Sequence, residues 1–304
     1  MKYLLIDRYG RGLDRLRISV TNRCNHACIF CHREGLKTFE SNELTPEDYG
    51  FLAKVAYKLG IDKHKLTGGE PLVREDIAAV VRELKLNSNE VTLSTNGSLL
   101  KSRAKALVDA GLDRANVSLH SLKEEVFTYI AKAPLKPVLE GIRESMEYGL
   151  KIKLNYVVMK SNINEFKDMV DFALTNGFDL NVIELIPLGT PPKVYAEEHV
   201  SLDKIEEYLN AIALSKRVRE FQNRPEYLLP SGIKVTLIKG YSNPYLCAGC
   251  TRLRVTPEGR FKICIFRDDV FIDARAAIKS RDESSLIEAF KKAVNLREPY
   301  FKFS

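Results

Sequence analysis

Apolar and polar positions alternate along this chain in two rhythms. From about residue 14 to about residue 190, short strand-like runs at 16–21, 65–67, 90–95, 115–120, 151–159 and 181–187 are separated by stretches with helical spacing at 46–59, 76–86, 101–110, 124–131, 138–148 and 166–175. Thr45 followed by Pro46, Glu47 and Asp48 supplies a helix start, and Gly60, Gly111, Gly149 and Gly177 fall where helices should stop. Six strand-then-helix units predict a parallel sheet with right-handed crossovers. Six units are two short of a closed eight-fold barrel, so the expected fold is α/β, an incomplete (β/α)6 barrel of the TIM type.

The rhythm changes after residue 190. Pro187, Pro191 and Pro192 among charged residues read as a linker, 202–214 as an amphipathic helix and 232–238 as a strand, while the polar run through Arg217, Arg219 and Arg224 reads as a solvated face. The expected organisation is therefore a partial barrel over residues 1–190 and a C-terminal extension over 191–304 that closes it. No apolar run approaches the roughly 18 residues of a membrane span, and the opening Met1-Lys-Tyr-Leu-Leu-Ile-Asp-Arg8 is charged too soon to be a signal peptide. A cytoplasmic protein without membrane partners is expected.

Cysteine usage sharpens this picture. The six cysteines fall into two groups of three, Cys24, Cys28 and Cys31, and Cys247, Cys250 and Cys264. Odd numbers in each group suit metal better than disulfides. Three thiolates can hold three irons of a cubane cluster and leave the fourth open for chemistry. A zinc site with His26 or His32 as the missing ligand is the plainer reading of the first group, and a distant histidine or acid would complete zinc at the second. The formal charge of +7, with 47 Lys and Arg, calls for an anionic partner. The chain has no tryptophan and no aromatic platform for RNA, so nucleic acid is not expected. A basic, zinc-stabilised nucleic-acid-binding protein is the reading from a different class.

The active ends of a parallel sheet are the carboxyl ends of its strands. There this sequence places the first cysteine loop, Leu66-Thr-Gly-Gly-Glu-Pro71, Thr95-Asn-Gly97 and Ser118-Leu-His120, with Lys153 and Asn155 on the fifth strand. Polar residues recurring at the same end of consecutive strands suggest a lined site.

The spacing CxxxCxxC, with Phe30 before its last cysteine, resembles the signature of the radical S-adenosylmethionine (radical SAM) enzymes. Across nearly its whole length the chain resembles the GTP 3′,8-cyclase family, also called molybdenum cofactor biosynthesis protein A. Arg17-Ile-Ser-Val-Thr-Asn-Arg-Cys24, Thr67-Gly-Gly-Glu-Pro71, Ser94-Thr-Asn-Gly97 and Asn116-Val-Ser-Leu-His120 carry the likeness. Cys247-x-x-Cys250-Thr-Arg-Leu-Arg254 with Cys264 makes it specific.

The resemblance implies two [4Fe-4S] clusters. One, on Cys24, Cys28 and Cys31, would bind and cleave S-adenosylmethionine. The other, on Cys247, Cys250 and Cys264, would hold the base of GTP. By family position Phe30, Gly69 and Ser118 would contact S-adenosylmethionine, and Arg17, Lys65, Thr95, Lys153, Arg252, Leu253 and Arg254 would bind GTP, with Arg252 and Arg254 also serving the reaction. The implied product is (8S)-3′,8-cyclo-7,8-dihydroguanosine 5′-triphosphate, handed on to cyclic pyranopterin monophosphate synthase. An electron donor of unknown identity is required, and a homodimer is left open. Another radical SAM enzyme with an auxiliary cluster, a peptide or haem-pathway maturase, is the neighbouring reading.

Two departures stand out. Asn181 and Ile186 replace an arginine and a methionine of bacterial members. The family's Gly-Gly tail has no counterpart in Arg297-Glu-Pro-Tyr-Phe-Lys-Phe-Ser304, so either another basic group fills that role or the likeness is less complete.

Overall fold

In the computed structural model, which describes residues 5–36 and 42–300, the predicted alternation becomes six parallel strands hydrogen-bonded in chain order. They are β1 (Arg15–Ser19), β2 (Lys63–Thr67), β3 (Glu90–Thr95), β4 (Arg114–Ser118), β5 (Ile152–Val158) and β6 (Asp179–Glu184). Parallel neighbours need crossovers. These are α1 (Pro46–Lys58), α2 (Ile77–Lys85), α3 (Leu100–Asp109), α4 (Glu124–Ala131) with α5 (Lys136–Glu147), and α6 (Phe166–Asn176). Helix α1 starts as its sequence directs: the Asp48 N–H donates to Thr45 Oγ1, and the Asp48 carboxylate accepts from the Thr45 N–H at 2.9 Å.

The described residues beyond 190 form no sheet of their own. They contribute α7 (Pro192–Glu198), α8 (Asp203–Ile212), β7 (Ser215–Arg219), β8 (Arg224–Leu228), β9 (Lys234–Ile238), β10 (Arg252–Val255), β11 (Arg260–Lys262), β12 (Phe271–Asp273), α9 (Arg275–Lys279) and α10 (Glu283–Asn295). Strand β9 joins β6 in parallel and carries the β8–β7 hairpin outward. Strand β10 joins β1 in parallel and carries β11 and β12. The result is one 12-stranded sheet in the order β12-β11-β10-β1-β2-β3-β4-β5-β6-β9-β8-β7.

Two sequence readings are corrected here. The run around Arg217, Arg219 and Arg224 is a β-hairpin; Arg217 is exposed, but Arg219 and Arg224 turn toward the interior cavity. The expected linker holds α7 from Pro192 onward. Helix α10, unanticipated from its mixed sequence, packs Phe290 against Phe261 of β11 with ring centroids 4.5 Å apart. Of the C-terminal stretch in which the Gly-Gly tail has no counterpart, residues 301–304 lie outside the described residues.

Alternation along each strand separates two environments. Leu16 and Ile18 of β1, Leu66 of β2, and Leu253 and Val255 of β10 enter the apolar core beneath the helices. Arg15 and Arg17, Lys63 and Lys65, and Arg252 and Arg254 occupy the alternate positions. Arg252 of β10 and Arg219 and Arg224 of the hairpin, from opposite ends of the strand order, line one cavity. A flat sheet could not bring them together, so the sheet curves around it.

Candidate active site

The first thiol loop follows β1 and is pinned on two sides. Gly69 donates its N–H to Thr21 O and Glu70 to Arg23 O, each at 2.8 Å, while Ala27 and Ile29 donate to Ala131 O and Ile130 O at the end of α4. A Cβ at Gly69 would come 2.1 Å from Arg23 O, so only glycine lets the two segments approach this closely. Cys24 and Cys31 are exposed and Cys28 is half-buried; none is paired in a disulfide. Burial raises the Cys24 and Cys28 thiols, Cys28 to about 12, and the charges of neighbouring thiols add to the rise. Thiols that sense one another on an accessible loop form a donor set suited to iron, whose charge reverses that penalty. Among the described residues, no group of three or more His, Cys, Asp or Glu side chains is arranged to hold a single metal ion.

Phe30 meets His120 edge-on at 4.9 Å within a small apolar cluster of Ile130, Val157, Met159 and Leu185. Ser118 lies at the end of β4, in register with Asn155, which accepts a 2.8 Å hydrogen bond from Asn181. Glu70 is buried, and burial pushes its carboxyl up to about 7 even though Thr95 Oγ1 (2.7 Å), Asn96 N–H (2.6 Å) and Leu72 N–H (2.9 Å) all donate to it. Thr95 is thus engaged with Glu70 and is not part of the basic cavity wall.

That cavity is a narrow cleft with about 100 Å³ of space open to water-sized molecules. Its wall carries eight Lys and Arg side chains and one carboxylate, Glu90. The structure brings together Lys65, Lys153 and Arg252, as expected from sequence, and adds Arg15, Lys63, Arg114, Arg219 and Arg224. Burial and then four neighbouring arginines hold Lys65 well below the usual lysine range. Lys153 is pushed down to about 8 by burial, with Asp179 opposing; Arg224 falls to about 9 by burial and repulsion from Arg219. Groups destabilised by one another in this way favour an anion between them.

Two expected residues stand behind that wall. Arg17 donates to Glu34 through Nε (2.8 Å) and Nη2 (2.5 Å), and Arg254 donates to the same carboxylate through Nη1. Leu253 is buried in the core, so its side chain does not face the cavity.

The second thiol group brackets the β10–β11 hairpin, Cys247 and Cys250 before it and Cys264 after it. Two buried arginines from distant segments hold its backbone. Arg11 donates to Cys247 O at 3.0 Å, Arg297 donates to Cys250 O, and the buried carboxylate of Asp7 serves both, at 2.9 Å from Arg11 Nε and 3.6 Å from Arg297 Nε. Burial raises Cys264 and by itself would raise Cys250, but Arg252, Arg297 and Arg11 hold Cys250 below the ordinary thiol value. Three thiols beside a cationic wall, Cys247 buried and Cys250 and Cys264 half-buried, suit a cluster whose open side faces an anionic ligand.

Sequence reasoning missed Arg15, Glu34, Lys63, Arg114, Arg219, Phe221 and Arg224 as site residues. A signal existed for some of them: Arg15-x-Arg17, Lys63-x-Lys65 and Arg252-x-Arg254 each put two cations on one strand face. For the hairpin residues there was none, because the strands themselves had not been recognised.

Comparison with known proteins gives the family and the overall fold. Residues 18–173 match the family model described as Radical SAM superfamily, and residues 178–303 the one described as Molybdenum Cofactor Synthesis C. A probable GTP 3′,8-cyclase of Thermococcus kodakarensis is 44% identical over 98% of this chain and 100% of its own length, and one of Metallosphaera sedula is 40% identical over 98% and 97%. Among solved structures, Streptococcus suis SuiB bound to S-adenosylmethionine is similar at TM-score 0.70 with 16% identity, covering 93% of this chain and 69% of its own. Native anSMEcpe with bound AdoMet is similar at TM-score 0.62, with 16% identity over 91% and 81%. At such identities these structures support the fold alone. No helix among the described residues is long and apolar enough to cross a membrane. With two thiol loops on a curved sheet, and 40–44% identity to these relatives over nearly its whole length, the chain belongs to the GTP 3′,8-cyclase family of the radical SAM superfamily.

Proposed function

We propose that this chain converts GTP to (8S)-3′,8-cyclo-7,8-dihydroguanosine 5′-triphosphate, the first step of molybdenum cofactor biosynthesis, inside an incomplete (β/α)6 barrel closed by residues 191–304. The observation that carries the reading is the cavity wall of eight cations, in which Arg252 stands two residues from Cys250. A triphosphate supplies the negative charge that wall lacks, and Arg forks with Lys point charges match phosphate oxygens. Superfamily membership implies S-adenosylmethionine and a [4Fe-4S] cluster, which Cys24, Cys28 and Cys31 would hold beside Phe30, Gly69 and Ser118. We assign a second cluster to Cys247, Cys250 and Cys264. When bound, the first cluster and S-adenosylmethionine supply the radical that takes hydrogen from the ribose C3′. The chain's own residues hold the triphosphate on Lys65, Lys153 and Arg252, keep water out, and restrain the nucleoside so that C3′ closes on C8. The product passes to cyclic pyranopterin monophosphate synthase.

The test is anaerobic incubation with S-adenosylmethionine and a chemical reductant. The 5′-deoxyadenosine formed should rise with GTP and not with ATP or a peptide. Formation indifferent to GTP would retain the radical chemistry and remove the substrate assignment.

A further inference from the structure

We infer that Glu34 is a positioning residue for this reaction: from the loop carrying the first thiol group, its carboxylate fixes Arg17 and Arg254 behind the cavity wall, on the same strand faces as the Arg15 and Arg252 that line it. The inference rests on the reading of the cavity as a GTP site.

Glu34 lies three residues after Cys31 in the turn Arg33–Gly35, where φ is 45° at Arg33, 52° at Glu34 and 70° at Gly35. Three successive left-handed residues, two of them not glycine, persist only where surrounding contacts determine the backbone. Those contacts come from both thiol regions. Arg17 of β1 grips both carboxylate oxygens, Thr67 Oγ1 of β2 donates to Oε1 at 3.0 Å, and Arg254 of β10 donates to Oε2. Lys262 of β11, two residues before Cys264, donates to Gly35 O at 2.7 Å. A Cβ at Gly35 would come 2.2 Å from Ile265 O, so the turn sits directly against the chain after Cys264.

This single carboxylate therefore spans β1, β2 and β10 and joins the loop of Cys31 to the hairpin of Cys264. Burial would raise its carboxyl, yet Arg17 and Arg254 hold it well below the usual range, so it is charged at neutral pH. A buried ion pair is weak evidence of stability, because apolar residues of similar volume often serve as well. Its worth here is geometric: a bidentate carboxylate fixes the plane of Arg17, and Arg254 is fixed relative to it.

The experiment uses protein reconstituted with both clusters, comparing wild type with Glu34→Gln and Glu34→Asp. GTP dissociation constants are measured by equilibrium dialysis, and cyclised product is measured per 5′-deoxyadenosine formed. Glu34→Gln removes a negative charge near the phosphates while releasing the arginines. GTP should bind as tightly or several-fold tighter, and coupling to product should fall by at least about tenfold, the effect of losing one charge-assisted contact. Glu34→Asp keeps the charge but shortens the reach, so it should show intermediate coupling at normal iron content. Wild-type coupling in either variant overturns the inference, as does a loss of activity that only follows loss of iron. If wild-type protein does not bind GTP, the reading of the cavity has failed, and the wild-type arm shows this before any variant is compared.

Discussion

The guanidinium of Arg15 lies 3.9 Å from the ring centroid of Phe221, and that same ring takes Arg224 at 4.9 Å and Arg252 at 5.0 Å. One phenyl ring thus gathers like charges from β1, β8 and β10, offsetting their repulsion with its negative face. Each such contact is worth about 0.5–2 kcal/mol. Phe221→Leu keeps apolar volume but loses the ring, and GTP binding should weaken by roughly 1–2 kcal/mol. Formation of 5′-deoxyadenosine without GTP should stay unchanged; an unchanged GTP affinity in calorimetry would remove the role given to the ring.

Lys153, pushed down to about 8 by burial, should make GTP binding sensitive to alkali. The charged ammonium binds phosphate and the neutral amine does not, so affinity is full about a unit below pH 8 and declines as pH rises through 8. Lys153→Arg stays charged across this range and should flatten the profile. A wild-type affinity constant between pH 7 and 9.5 would contradict this.

Acid should act elsewhere. His64 is buried, neither ring nitrogen has a hydrogen-bond partner, and burial pushes it down to about 4. The unfolded chain takes up a proton near pH 6.5 and the folded chain only near 4, so stability is full above about 6.5 and is lost as pH falls through that window. Alternation puts His64 on the apolar face with Leu66. Thermal melts of His64→Leu should show a stability gain on the order of 1–3 kcal/mol and less acid sensitivity, because two unpaired polar atoms are removed.

Arg297 should matter to iron content. With Arg11 and Asp7 it holds the Cys247–Cys250 backbone, and removing one partner of a buried ion group typically costs about 3–5 kcal/mol. Arg297→Met should lower iron from about eight per chain toward about four, the content of one cubane cluster. Cleavage of S-adenosylmethionine should persist while cyclised product is lost. Retention of all the iron would show that the clasp is dispensable.

The sheet's centre was legible because apolar periodicity and helix stops coincide from Thr45 to Gly177. The thiol groups were legible from spacing; Lys65, Lys153 and Arg252 were named through the family resemblance, and the fold puts them on one cavity wall. The hairpin of Arg219 and Arg224 was not. Its strands carry charge on both faces, one toward solvent and one toward a cationic cavity, and that pattern in sequence is the same as a solvated loop. Glu34 was invisible for another reason: its partners Arg17, Thr67 and Arg254 meet only once β10 has docked on β1.

That docking also has a consequence in time. Arg15 finds its register partner only at Arg252. At synthesis rates of about 5–20 residues per second, on the order of ten seconds or more separate their emergence from the ribosome. Throughout that interval β1 has an unpaired edge, a row of free backbone groups open to foreign strands. The first three thiols are already outside while the last three are not yet made. Iron delivered during translation therefore meets one thiol loop before the other exists.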